Sequence, residues 1–453
     1  MAAADTINVD DLVDHQRFGG FAVRVVGLAL LALVADGYDV QVMAFAAPGI
    51  VKAWHVQRGS LAPVFSASLL GILVGASLFG WLGDLIGRKR CIVISSVAYG
   101  GFCLLCLLAP NLLVLGLLRF LTGVGLGGVL PNAIATAAEL SSRRLRPAMA
   151  SAIAAGITLG GVAPGLISAR VGPANWKALF LVGGIAPFVL AALVAAFLPE
   201  SVGFLVRRGA ARERIARLVR MIDPRAAVSP QTAFTVNAAP LERDAGFATL
   251  FAGRYALITP LLWLMFATTL LTIYMLTNWM PLLLESSGFT PAKAATTNSL
   301  FQAGGVVGCL VGGALLSRFG ARLVAAMSVL TLISVAVVAR APLGPAGLVM
   351  AICTCGFCLI GTQAVLNGTT GVMYPTAVRS RGVGMALGVG RFGSVAGPLV
   401  AGAMVSSGVA SARDLFLLPL LPLAAGTLAS LVVAARLNLA ADAGGAAQGP
   451  LKS

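Results

Sequence analysis

The sequence predicts an all-α membrane protein with twelve transmembrane helices in two six-helix bundles. Three observations carry that expectation. Of 453 residues, 58% are hydrophobic and only 11% charged, whereas a soluble domain carries about 25% charged residues. The apolar residues gather in runs such as 21–35, 91–110, 181–198 and 413–435, and apolar stretches of about 18 or more residues read as helices crossing a ~30 Å hydrocarbon core. Residues 199–252 interrupt this pattern, with six candidate spans on either side.

Taken in order, the spans are expected near 21–47, 60–83, 90–110, 112–138, 147–170 and 177–198, then 253–284, 294–316, 321–340, 344–371, 381–407 and 413–436. Residues 1–20 form an N-terminal tail that is acidic and polar. It lacks the basic start and small-residue cleavage site of a signal peptide, so the first span reads as retained. Residues 21–198 make the first bundle and 253–436 the second, with a C-terminal tail at 437–453. In the central loop, 199–252, "ESVGFLVRRGAARERIARLVRMIDPR" has helical spacing with a basic face. "AAVSPQTAFTVNAAP" reads as a disordered linker.

The net charge is +16. With both termini inside, and residues at span ends counted with the side they adjoin, the cytoplasmic side carries 23 of the 32 Lys and Arg and the outer side 7, leaving Arg119 and Arg391 at mid-span. That bias is the positive-inside pattern. The excess therefore reports topology and contact with anionic lipid headgroups, and no nucleic-acid partner is expected. All seven cysteines fall in predicted spans. "CTCGFC" has apolar flanks and no nearby His or acid, so it reads as small buried hydrophobes and not as a metal site. His15 and His55 lie outside the spans. No metal cluster, phosphate loop or nucleophile–base set is present, so neither an enzyme nor a cofactor is expected.

The halves repeat. Gly80, Gly87 and Lys89 in "GWLGDLIGRK" align with Gly313, Gly320 and Arg322 in "GALLSRFGAR" at an offset of 233 residues, and the same offset brings "GGVA" at 160–163 onto "GSVA" at 393–396. A repeat of this kind is a mark of secondary transporters.

Asp36 and Asp39, in "ALVADGYDVQVMAFAAPGI", stand i and i+3 in the first span and share one helical face. Gly37 between them thins the helix for a close neighbour or a ligand. A carboxylate inside a membrane is costly and generally functional. Burial and a like charge nearby favour proton uptake and release near neutral pH, which suits proton coupling; pairing with a buried Arg is the structural alternative. Arg119 and Arg391 are the mid-span cations, one in each half. A guanidinium grips a carboxylate with two prongs and stays charged when buried. For Arg119, substrate contact and neutralisation of Asp36 or Asp39 stand as equal readings. Arg391, flanked by small residues in "GVGRFGSVAGP", is favoured as a substrate contact. Tyr274 with Asn278, and Gln363 with Asn367, are i, i+4 polar pairs suited to ring hydroxyls or a carboxylate, or to holding helices together. Tyr38, Phe45 and Trp279 could stack on an aromatic ring, or anchor helix ends.

"GDLIGRKR" at 83–90 resembles the loop signature of the major facilitator superfamily, and "LPESVGFLVRRG" resembles that superfamily's exit from helix six. "DGYDVQVMAFAAP", "RFLTGVGLGGVLPN", "YMLTNWMPLLL" and "GTQAVLNGTTGVMYPTAVRSRGVGMALGVGRFGSVAGP" are similar to motifs of its aromatic acid:proton symporter family. The resemblance covers nearly the whole chain. Ser317 departs from the second-half loop motif, and "AELSSRRLRPAM" follows the Glu–Arg pattern after span four only loosely. The resemblance implies the major facilitator fold and gating roles for Gly83, Asp84, Gly87 and Arg88. It also implies proton coupling at Asp36 and Asp39, and proton-driven uptake of a small aromatic carboxylate, such as 4-hydroxybenzoate, protocatechuate, gentisate or benzoate, across a bacterial inner membrane. The expected partners are that substrate, protons and the lipid bilayer, and the chain is expected to act as a monomer. A proton antiporter exporting drugs or organic acids, and a non-transporting sensor of aromatics, are the competing readings.

Overall fold

A computed structural model describes residues 6–15, 19–140, 155–223, 225–226, 228–229, 231–237, 247–253, 255–374, 378–408 and 412–446. Its helices are α1 (Val9–His15), α2 (Gly20–Trp54), α3 (Ala62–Ile86), α4 (Arg88–Leu105), α5 (Leu112–Gly127) and α6 (Val129–Glu139). Helix α7 (Ala163–Val171) ends an apolar stretch that starts at Ala155. There follow α8 (Lys177–Phe197), α9 (Val202–Arg207), α10 (Arg212–Ile222), α11 (Tyr255–Ser286), α12 (Pro291–Phe319) and α13 (Ala321–Arg340). The last are α14 (Pro345–Met373), α15 (Arg379–Ser406), α16 (Ala412–Leu417) and α17 (Leu420–Ala446).

Among the described residues, eleven helices are long and apolar enough to cross a membrane. The fifth expected span is represented by the shorter stretch Ala155–Val171; residues 147–154 of that expectation lie outside the described residues. Local signals set the ends. Asn111 Oδ1 accepts the Val114 amide at 3.0 Å and opens α5, as an N-cap should. The chain turns from α3 into α4 at Gly87, φ +100°, and from α12 into α13 at Gly320, φ +53°, backbone that L side chains resist.

The chain divides into two compact units. One holds Met1–Val42, Ala67–Gly161 and Lys177–Glu242; the other holds Met43–Ser66, Val162–Trp176 and Arg243–Ser453. Inside each, helices meet backbone to backbone at glycines. In the first unit, the carbonyls of Phe120, Val124, Ser68 and Val34 occupy the space a side chain would need at Gly71, Gly75, Gly123 and Gly160. In the second, the carbonyls of Cys353, Phe357, Phe301 and Ala267 do the same at Gly304, Gly308, Gly356 and Gly393. Every one of these pairs maps onto its counterpart with the 233-residue offset. The repeat is therefore a repeat of helix–helix contacts, with small residues letting backbones approach where apolar lipid supplies no hydrophobic drive.

The second unit also ties helix ends together. Ser66 Oγ donates to the Val395 carbonyl at 2.8 Å and Ser299 Oγ to the Val162 carbonyl at 3.0 Å. Lys52 Nζ meets Glu285 Oε2 at 3.0 Å.

The first unit corrects one expectation. Residues 231–237, within the stretch read as a disordered linker, are ordered. Strand β1 (Thr6–Asn8) pairs in parallel with β2 (Ala233–Thr235). Asn8 Nδ2 donates to Asn237 Oδ1 at 2.7 Å, the Asn237 amide donates to Asp10 Oδ2 at 2.8 Å, and Arg212 Nε donates to the Thr232 carbonyl at 2.7 Å. The loop alone has too few apolar residues to order itself, and the N-terminal tail supplies the missing strand. Helix α10 forms as its spacing implies, burying Ile215, Val219 and Ile222 at i, i+4 and i+7.

Candidate functional site

Asp39 on α2 and Arg119 on α5 each have no exposed side-chain surface. Arg119 Nη1 donates to Asp39 Oδ1 at 3.1 Å and Nη2 to Oδ2 at 2.7 Å. Nη2 also reaches the Asp39 carbonyl at 3.0 Å. The guanidinium lies 5.7 Å from the centroid of Phe180. This is the two-pronged geometry a guanidinium favours. Of the two readings of Arg119, the geometry fits the ion-pair partner, since both terminal nitrogens are engaged by Asp39.

Asp36 lies one turn nearer the start of α2 and is 6% exposed. Gly37 does admit a close neighbour, and that neighbour is protein: a side chain there would strike the Ile157 backbone. Tyr38 donates its hydroxyl to the Leu179 carbonyl at 3.1 Å.

In the second unit, Arg391 is partly exposed on α15, and among the described residues no acid pairs with it. Two of the small residues around it take part in helix packing. Gly390 packs on Leu270 and Phe266, and Gly393 on the Ala267 backbone, so they seat α15 against α11. Asn278 is buried and gives its Nδ2 to the Tyr274 carbonyl at 2.8 Å, while Tyr274 is partly exposed. Gln363 Nε2 donates to Asn367 Oδ1 at 2.9 Å, and Gln363 Oε1 is buried with no hydrogen-bond partner among the described residues. Trp279 is fully buried, donates to the Pro398 carbonyl at 3.0 Å and meets the Phe65 ring edge-on at 5.3 Å. Phe45 is 2% exposed beside Gly165. These aromatics serve helix packing.

The loop constellation assembles within the first unit. Arg88 Nη2 meets Asp84 Oδ1 at 2.5 Å, and its Nε lies 3.6 Å from Glu139 Oε1. A side chain at Gly83 would strike Asn132 Oδ1, and one at Gly87 the Glu200 carboxylate. Glu200 Oε1 accepts the Lys89 and Ser201 amides, both at 3.2 Å, placing a negative charge at the N-terminus of α4. Glu139 lies in the loosely matching "AELSSRRLRPAM", and Glu200 lies in "LPES", which the sequence reading tied to no residue role.

The comparisons with known proteins agree with this architecture. The family model described as Major Facilitator Superfamily matches residues 29–398. A gallate transporter of Pseudomonas putida is 35% identical, over 89% of this chain and 90% of that protein. A 4-hydroxybenzoate transporter of the same organism is 34% identical, over 86% and 88% respectively. The crystal structure of a D-xylose-proton symporter superposes with a TM-score of 0.69 at 13% identity, over 91% of this chain and 97% of that one, a likeness of fold. With a family model across most of its length, relatives that are transporters and a helical membrane architecture to match, this chain is not an enzyme and belongs to the Major Facilitator Superfamily.

Proposed function

We propose that this protein is a proton-coupled symporter that takes up a small aromatic carboxylate of the hydroxybenzoate class across a bacterial inner membrane, with both termini cytoplasmic. The observation that carries the reading is the contrast between two cations in apolar helices. Arg119 is neutralised by Asp39, whereas Arg391 has no acidic partner among the described residues. An unneutralised guanidinium in a membrane span is costly and suited to a carboxylate brought by a ligand. The relatives named for gallate and 4-hydroxybenzoate support an aromatic ring on that ligand.

In this reading Arg391 receives the substrate carboxylate. Gln363, Asn367, Tyr274 and Asn278 supply further polar contacts to the substrate in this reading. Asp39 is engaged by both terminal nitrogens of Arg119, and in this reading Asp36 carries the transported proton. Proton binding and substrate binding together bias the protein between its two access states. Asp84, Arg88, Gly83 and Gly87 form the gate latch, with Glu139 and Glu200 as added members. The proton gradient supplies the energy and no cofactor takes part.

The test is uptake of labelled 4-hydroxybenzoate into proteoliposomes under an imposed pH gradient. The reading requires accumulation that collapses with a protonophore and is blocked by competing benzoates. Asp36→Asn should lose uphill accumulation and keep substrate exchange. Full accumulation by that variant would remove Asp36 from proton coupling, and accumulation only with the opposite gradient would favour an exporter.

A further inference from the structure

The second unit contains a small cavity lined by six residues that carry hydroxyls. They are Thr268 and Thr269 of α11, Ser328 and Thr331 of α13, Thr362 of α14 and Thr427 of α17. All six are buried. The cavity leaves about 10 Å3 for the centre of a water-sized body, close to what one water molecule needs.

The hydroxyls are unequally satisfied. Each can donate one proton and accept two. Thr268 gives its proton to the Leu264 carbonyl at 2.9 Å, and Thr427 to the Ser328 carbonyl at 3.3 Å; both keep lone pairs. Thr331 and Thr362 lie 2.8 Å apart, and each is also 2.8 Å from a carbonyl of its own helix, Met327 and Cys358 respectively. Thr269 and Ser328 differ, because among the described residues neither hydroxyl has a hydrogen-bond partner. Buried hydroxyls without partners need an explanation.

The ties between helices are unequal too. Thr331 with Thr362 joins α13 to α14, and Thr427 joins α17 to α13. On α11, Thr268 and Thr272 bond only to carbonyls of their own helix. Helix α17 nevertheless lies close, since a side chain at Gly426 would come within 2.4 Å of Thr268 Oγ1.

The lining selects the ligand. It holds neither an acid nor a base, so an ion there would be buried without a counter-charge, at heavy cost in a membrane interior. A neutral molecule with two protons and two lone pairs matches the uncommitted donors and acceptors. Thr269 stands 233 positions after Asp36, so the second repeat has a neutral hydroxyl where the first has a carboxyl.

We infer that this cavity binds one water molecule. It accepts from Thr269 and Ser328, donates to other hydroxyl oxygens of the lining, and so ties α11 to the helices opposite. The same helix carries Tyr274 and Asn278. The inference stands independently of the symport reading.

The test is a crystal structure of the full chain at a resolution that shows ordered water, beside that of the double variant Thr269→Val with Ser328→Ala. The wild type should show one density peak about 2.5–3.0 Å from Thr269 Oγ1 and from Ser328 Oγ. The double variant should lose that peak. No peak in the wild type, or an undiminished peak in the double variant, overturns the inference. Melts in detergent separate water from a cation. Replacing choline chloride by sodium or potassium chloride at constant ionic strength should leave the thermal midpoint unmoved. A rise in the wild type that the double variant lacks would mean a bound cation and overturns the inference as well.

Discussion

At the scale of the residue, two arginines of the same chemistry are set apart by their neighbours. Arg119 and Asp39 are both buried, so each covers a charge the other would leave exposed to an apolar interior. Removing one partner of such a pair costs about 3–5 kcal/mol, while replacing both with apolar residues is often close to neutral. Arg119→Leu should therefore lower the thermal midpoint strongly, and the double variant Asp39→Leu with Arg119→Leu should recover most of it in detergent melts. A double variant no more stable than the single one would mean that the pair is not the cause. Arg391 should behave differently. Arg391→Lys keeps the charge and loses the two-pronged grip. Binding of 4-hydroxybenzoate, followed by calorimetry, should weaken about tenfold or more, or roughly 1.4 kcal/mol, with the melt unmoved. The sequence marked both arginines and both acids by their rarity in apolar spans. It could not say that Arg119 belongs to Asp39, because the two are joined only when α2 and α5 pack.

At the scale of the element, glycines decide which helices touch. Gly160 faces the Val34 carbonyl and Gly393 the Ala267 carbonyl, at matching places in the repeat. Gly160→Val and Gly393→Val should each force a helix pair apart, and both are expected to cut the yield of monodisperse protein on size exclusion. Normal yield and melting in both variants would show that these contacts can relax. The tail and the central loop form a second kind of element. Strand β1 and helix α1 lend order to residues 231–237, and α1 packs on α10. Deleting residues 6–15 should speed tryptic cleavage among the arginines of residues 212–225, read by mass spectrometry, while the spans stay intact. The helical half of the loop was legible, because its apolar residues recur at the helical period. The strand was not, since three residues show no period of their own and the partner lies 227 positions away, from Thr6 to Ala233.

At the scale of the whole molecule, the 233-residue offset joins sequence to architecture. It appears first as scattered glycines and returns as four matched helix contacts in each unit. The chemistry of the copies has diverged. The positions matching Asp36 and Asp39 are Thr269 and Thr272, and the position matching Arg391 is Thr158. The two acids belong to one copy and Arg391 to the other. A ligand that binds only the folded protein stabilises it by mass action, about 2.7 kcal/mol at a hundredfold excess over Kd. Hydroxybenzoates should accordingly raise the thermal midpoint of the purified protein. Aliphatic acids of similar size should not, and equal shifts from both would remove the aromatic ring from the specificity.

The sequence by itself determined that this chain lives in a membrane, that it is built of two related sets of spans, and which charged residues stand inside apolar spans. Those properties follow from hydrophobic length, from repetition and from the cost of charge in lipid, all of which are local to the chain. Only the tertiary structure decided which charge answers which: Arg119 to Asp39, and Arg88 to both Asp84 and Glu139. Pairing depends on distances between helices that no spacing along the chain encodes.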